Sequence, residues 1–217
     1  MNKEWSELNK SMQLQLKKKD TYKDGISVLF ELRNSLWDTL ISYKKGLSRE
    51  GFDAIPFINA DGYHSKTIAY SLWHVFRIED ICAHTLVKGD EQVFFKKGYQ
   101  AKIKSPIITT GNELVKQEIA DFSKQLDLDA LYAYMLDVKK STEKILKELA
   151  FEDTKVKISD DRRKELESLH VVSEDESAIW LIDYWCKKDV RGLIQMPFSR
   201  HWIMHTEACE RIKNKCS

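Results

Sequence analysis

Between Tyr22 and Lys45 the apolar residues Ile26, Leu29, Phe30, Leu36, Trp37, Leu40 and Ile41 recur with the period of an α-helix. At 3.6 residues per turn they form one stripe, and a long helix with such a stripe must bury it against other elements. Arg33 falls on the same stripe, which is unusual for a charge. Leu128, Leu131, Tyr132, Met135, Leu136, Ile145, Leu146 and Leu149 mark another long helix over 127–150. A third runs from about Ser65, a candidate N-cap, to Lys88, with Gly89 as its stop. The last, 197–214, opens on Pro197. Only 8 glycines and 3 prolines interrupt 217 residues, so little else competes with helix. The expectation is an all-α fold, a four-helix bundle with short additional helices. No repeat or linker divides the chain, so 1–217 reads as a single domain.

Shorter elements fill the gaps. Gly46 to Tyr63 reads as a loop, and 90–110 as a connection over one end of the bundle. Thr110-x-x-Glu113 has capping-box spacing and is expected to open a helix to about Gln125. Residues 151–160 read as a surface loop with brief extended pairing. Ser159 can cap a helix to about Leu169. Ser173-x-x-Glu176 repeats the capping-box spacing before Ile179, Trp180, Ile182 and Trp185.

Charge narrows the function. With 35 Lys and Arg against 34 Asp and Glu the net charge is +1, which argues against a dedicated nucleic-acid binder. None of Cys82, Cys186, Cys209 and Cys216 forms a C-x-x-C pair, and Cys82 and Cys209 sit on apolar arcs as small core residues. The start of the chain lacks the apolar stretch of a signal peptide. The most apolar run, Ala178 to Cys186, contains Asp183 and is too short to span a bilayer. These features lead us to expect a reduced, cytoplasmic setting, no membrane partner and a small-molecule substrate. The oligomeric state stays open, with a homodimer among the options.

The candidate chemistry lies in the pentad His201-Trp-Ile-Met-His205. Histidines four residues apart project from one side of a helix, a common way to offer two imidazoles to one metal ion. On the helical wheel they fall inside the apolar arc of Phe198, Trp202, Ala208, Cys209 and Ile212. Burying unpaired ring nitrogens there costs roughly 1–3 kcal/mol each, and a metal would satisfy both. Trp202 stands where a zincin has its catalytic Glu, so the pentad brings no general base. On the second long helix His74 lies between Ile78 and Ile81 in an apolar arc, a candidate third ligand. Arg77, Asp80 and His84 group on the opposite side, so His84 is expected to face solvent. His64 falls in a loop and His170 at a helix end.

The segments Ser71-Leu-Trp-His74-Val-Phe-Arg-Ile-Glu79-Asp80 and Leu193-Ile-Gln-Met-Pro197-Phe-Ser-Arg-His201-Trp-Ile-Met-His205 resemble, in that order, the DinB/YfiT-like metalloenzyme family of damage-inducible helical bundles. The family is distinct from the DNA polymerase that shares part of the name. The resemblance implies a four-helix bundle in which His74, His201 and His205 hold one divalent ion, commonly zinc or nickel. Ligand type alone admits Zn, Ni or Fe. Better-understood relatives include thiol S-transferases and a thiol-dependent isomerase, so a low-molecular-weight thiol co-substrate is implied as well.

Glu79 falls near the centre of the arc of Ile68, Leu72, Val75, Cys82 and Leu86. One reading makes it the partner of core-facing Arg33. The other makes it a general base or the orienter of a histidine. Tyr70 and Trp73 are expected to line a cleft to the metal, and Cys209 is the one plausible fourth ligand. The leading function is a metal-dependent thiol S-transferase or hydrolase. The alternative is a non-catalytic helical module with a structural or vestigial metal. A ferritin-like di-metal centre needs two Glu-x-x-His pairs, and only Glu167-x-x-His170 has that spacing.

Overall fold

A computed structural model describes residues 2–216. Among these residues helices form the framework and there is no β-strand. The one extended feature is an isolated antiparallel bridge between Lys157 and Asp189, in the segment expected to pair briefly.

The first helix, α1 (Lys3–Gln15), has no counterpart in the sequence reading. Asn2 caps it, its side chain accepting from Trp5 N at 3.2 Å. Only Trp5 and Met12 are buried on α1, so its apolar stripe is thin against a charged background. That is why periodicity did not expose it.

The long helices follow as α2 (Tyr22–Gly46), α3 (Ile68–Asp80, continued by π-helical turns Ile81–Lys88), α4 (Leu128–Glu148), α5 (Glu176–Cys186) and α6 (His201–Cys216). Helices α2, α4, α3 and α6 touch in a closed ring: α2 meets α4, α4 meets α3, α3 meets α6 and α6 meets α2. Their inward stripes form the core, with Trp73, Trp202, Tyr43, Tyr134 and Phe76 fully buried. Helix α3 ends where Gly89 takes a left-handed φ of 74° and its amide donates to the His84 carbonyl at 2.6 Å.

Three expected caps are corrected. Thr67, not Ser65, caps α3, accepting from Tyr70 N at 3.0 Å. The Thr110-x-x-Glu113 spacing opens no helix; the helix begins at Gln117. Thr109 donates to Glu113, and Thr110 Oγ1 to Asn112 Oδ1 at 2.8 Å, because this loop is held down on α3 instead. Asp175 rather than Ser173 caps α5, accepting from Ser177 N at 2.8 Å.

The largest departure is on α3 itself, where every residue from Ile68 to Leu86 is buried. Arg77, Asp80 and His84 therefore do not face solvent. The segment after Gly89 folds back over them with matching groups. Arg77 donates to the Ile108 carbonyl (2.8 Å) and Gln92 (2.7 Å), and Asp80 accepts from the amides of Val93 (2.8 Å) and Phe94 (2.9 Å). A helical wheel records side-chain polarity, not the distant loop that supplies its partners.

Candidate metal centre

Helices α3 and α6 cross so that His74 meets the His201–His205 pair. The ring centroids of His74 lie 5.0 Å from His201 and 4.9 Å from His205, and the pair themselves are 4.6 Å apart. One ligating nitrogen from each falls within 4.8 Å of the others, and all three side chains are buried. Tetrahedral zinc ligands at 2.0–2.1 Å stand about 3.3 Å apart. Closing the three rings on an ion therefore asks for side-chain adjustments on the order of 1 Å.

The protonation pattern favours coordination. His74 Nδ1 lies 2.8 Å from the Thr110 carbonyl. A carbonyl only accepts, so Nδ1 carries the proton and Nε2 presents a lone pair. Tyr70 stacks on the His74 ring, centroids 5.4 Å apart and planes 13° apart, while its hydroxyl donates to the Gly111 carbonyl at 2.9 Å. Burial pushes the His74 pKa down to about 4, with Lys66 nearby acting in the same direction. Burial also drives His201 and His205 well below the ordinary imidazole value, as do the neighbouring histidines. The three rings are neutral at pH 7, the state that binds metal.

His201 Nδ1 and both ring nitrogens of His205 are buried without a hydrogen-bond partner. Such orphans are rare, and each costs roughly 1–3 kcal/mol unless something else satisfies it. A divalent ion fits this donor set. Cys209 is not in the cluster: it is buried, and burial raises its thiol to about 12 against the influence of a Ser71 hydrogen bond.

Behind the histidines lies a buried ionic lock. Arg33 donates to both carboxylate oxygens of Glu79, at 2.9 and 2.8 Å, and to the Phe198 carbonyl at 2.9 Å. Trp202 Nε1 donates to Glu79 at 2.7 Å, and the Arg33 guanidinium lies 4.4 Å from the Trp202 ring centroid. Burial works against the Arg33 charge, but Glu79 and Glu143 outweigh it and hold the pKa above its ordinary value. With both oxygens engaged, Glu79 has the geometry of the ion-pair reading and joins α2, α3 and α6. Phe198 belongs to the π turn Met196–Arg200 that leads into His201, so the lock also fixes how the pentad enters the core.

Tyr70 and Trp73 do not line the approach, for both are fully buried. Instead a cleft of about 250 Å³ reaches His74 and His201 between Tyr63, Asn112, Trp180, Tyr184 and Met196. Tyr63 also sets its ring edge-on to His205 at 4.8 Å. The sequence signal for this wall was the aromatic run on α5, where Trp180 turns outward and is 49 % exposed. His64 pairs with Arg211 at 2.7 Å, and His170 is exposed. Neither joins the cluster.

Fold and site together define an all-helical protein with a buried three-histidine group able to hold a metal ion. No helix among the described residues is long and apolar enough to cross a membrane. No family model matches the chain, and no curated protein is significantly similar to it.

Proposed function

We propose that this protein is a divalent-metal enzyme of the DinB/YfiT-like four-helix-bundle kind, acting on a small molecule. The observation that carries the reading is the convergence of His74, His201 and His205, neutral, buried and with three ring nitrogens left without partners. A bound divalent ion supplies Lewis acidity and activates a water or a thiol at neutral pH. Zinc, nickel and iron(II) all suit three imidazoles.

The chain's own residues do the rest. Thr110 sets the His74 tautomer, Tyr70 fixes the plane of that ring, and the Arg33–Glu79–Trp202 lock holds the pentad helix in register. The cleft walls of Tyr63, Trp180 and Tyr184 give a substrate an apolar seat beside the histidines. That opening supports an enzyme over a closed structural site, because structural zinc is enclosed by four protein ligands. The family resemblance puts thiol S-transfer ahead of hydrolysis, with a small thiol as co-substrate and the cytoplasm as the setting.

The test is elemental analysis of protein purified without a histidine tag, followed by transfer and hydrolysis assays with and without the recovered metal. Stoichiometric metal and a metal-dependent reaction support the reading. Metal-free protein that takes up no zinc, nickel or iron(II) overturns it.

A further inference from the structure

We propose that Ser141, His84 and Asp90 form a second reactive site, a serine nucleophile with its own base, which hydrolyses small esters bearing an anionic group. It is independent of the metal centre. His84 lies ten residues beyond His74 on α3, about 15 Å along the helix.

His84 Nδ1 sits 2.5 Å from Asp90 Oδ1, and His84 Nε2 sits 3.0 Å from Ser141 Oγ. The carboxylate only accepts, so Nδ1 carries the proton and Nε2 is the acceptor for the serine hydroxyl. This is the polarity a serine nucleophile needs: a base on its oxygen, and a carboxylate holding that base in the correct tautomer. Asp80 also approaches Nε2, at 4.0 Å. Its oxygens are taken by the amides of Val93 and Phe94 and by the Tyr134 hydroxyl (2.9 Å), which leaves Ser141 as the partner at hydrogen-bond distance.

The local backbone is unusual at the same place. His84 belongs to the π-helical end of α3, a rare conformation frequently found at functional sites. Its carbonyl takes both the Gly89 and Asp90 amides, at 2.6 and 3.1 Å, and this turns Asp90 back onto the imidazole.

These groups line a cavity of about 260 Å³, which also holds Lys88, Lys96, Lys97 and Lys144. Lys88 pairs with Glu148 and Lys97 with Asp137, each at 2.9 Å. Lys96 is in no salt bridge among the described residues, and Lys144, exposed at the rim, acts on the Glu148 carboxylate, whose nearest partner is Lys88. Lys144 stands one helical turn after Ser141 and on the same face. The two ammonium groups suit an anionic substrate and the negative charge that grows on its carbonyl oxygen.

In the step, Ser141 Oγ attacks the ester carbonyl carbon as its proton passes to His84 Nε2. The carbon–oxygen bond to the leaving alcohol then breaks, and that oxygen takes the proton. Water attacks the acyl-serine with His84 again as base, releasing the carboxylic acid and restoring Ser141. The balance is ester plus water to acid plus alcohol, with no redox change.

The experiment uses chelator-treated full-length protein, a fluorophosphonate probe, and the 4-nitrophenyl esters of acetic acid and, as monoester, of succinic acid. The expected results are a probe adduct on the Ser141 peptide and faster hydrolysis of the anionic ester. Ser141→Ala and Asp90→Asn each lower kcat/KM by on the order of 100-fold or more, with the far-ultraviolet circular dichroism retained. Lys144→Met reduces the preference for the anionic ester, and Ser141→Cys retains an acylation burst. An adduct on another residue, no adduct, a full rate in Ser141→Ala, or loss of hydrolysis on chelation overturns the proposal. The adduct and Ser141→Ala outcomes do not bear on whether His74, His201 and His205 bind metal, whereas loss of hydrolysis on chelation would assign the activity to a bound metal instead.

Discussion

The Trp202 indole donates a hydrogen bond of 2.7 Å to Glu79 from 123 residues away in the sequence. It ties α6 to α3 one residue after His201 and five residues after His74. With Arg33 on the other side of the carboxylate, the contact sets the register at which the three histidines meet.

Trp202→Phe keeps most of the packing and removes the donor. The expected outcome is a folded protein whose zinc affinity falls by roughly tenfold, as for other groups that orient ligands from behind. Competition against a chromogenic chelator measures it, and unchanged affinity would deny the lock a part in the site.

Arg33→Met leaves the Glu79 carboxylate buried without its counter-charge. Breaking a buried pair in this way costs about 3–5 kcal/mol. The double variant Arg33→Met/Glu79→Gln removes the orphaned charge and keeps an acceptor for Trp202, so it is expected to be the more stable of the two. Urea unfolding with a fluorescence readout checks the order.

His201→Ala or His205→Ala is expected to abolish stoichiometric metal binding, with the circular dichroism of the helices nearly unchanged. The apolar core supplies most of the stability in a chain of this size. Removing metal with a chelator should therefore leave the protein folded. Unfolding on chelation would show instead that the site is structural.

The cysteines should differ sharply in reactivity. Cys216 is exposed and Cys186 half-buried, whereas Cys82 and Cys209 are buried. Burial raises the thiol of Cys82 well above its ordinary value and that of Cys209 to about 12. Titration with Ellman's reagent should modify Cys216 first and Cys186 more slowly. Cys82 and Cys209 should react only after denaturation.

Gly89→Ala should destabilise the turn after α3. The left-handed backbone, φ 74°, costs a side chain about 1–2 kcal/mol, and the new Cβ would also meet the Arg162 guanidinium until that chain moves. Thermal unfolding would show a lowered Tm, and an unchanged Tm would place this turn outside the cooperative core.

What the sequence determined by itself was local. The 3.6-residue period of α2, α3, α4 and α6 follows from i to i+4 hydrogen bonding, so the apolar stripes and the shared face of His201 and His205 were legible without a partner element. The charge of Arg33 on an apolar stripe, matched by Glu79 on another, also signalled a buried pair. Tertiary structure decided everything that depends on two distant segments meeting. It covered His84 with the turn after Gly89, although a wheel set that residue towards solvent. It drew the Thr110 carbonyl onto His74 and left the expected capping box unformed. It sank Tyr70 and Trp73 into the core and gave the cleft to Tyr63, Trp180 and Tyr184. The physical reason is that a side chain's periodicity specifies a direction from its own helix axis. What waits in that direction is set by packing between helices far apart in the chain, and no spacing within one helix encodes it.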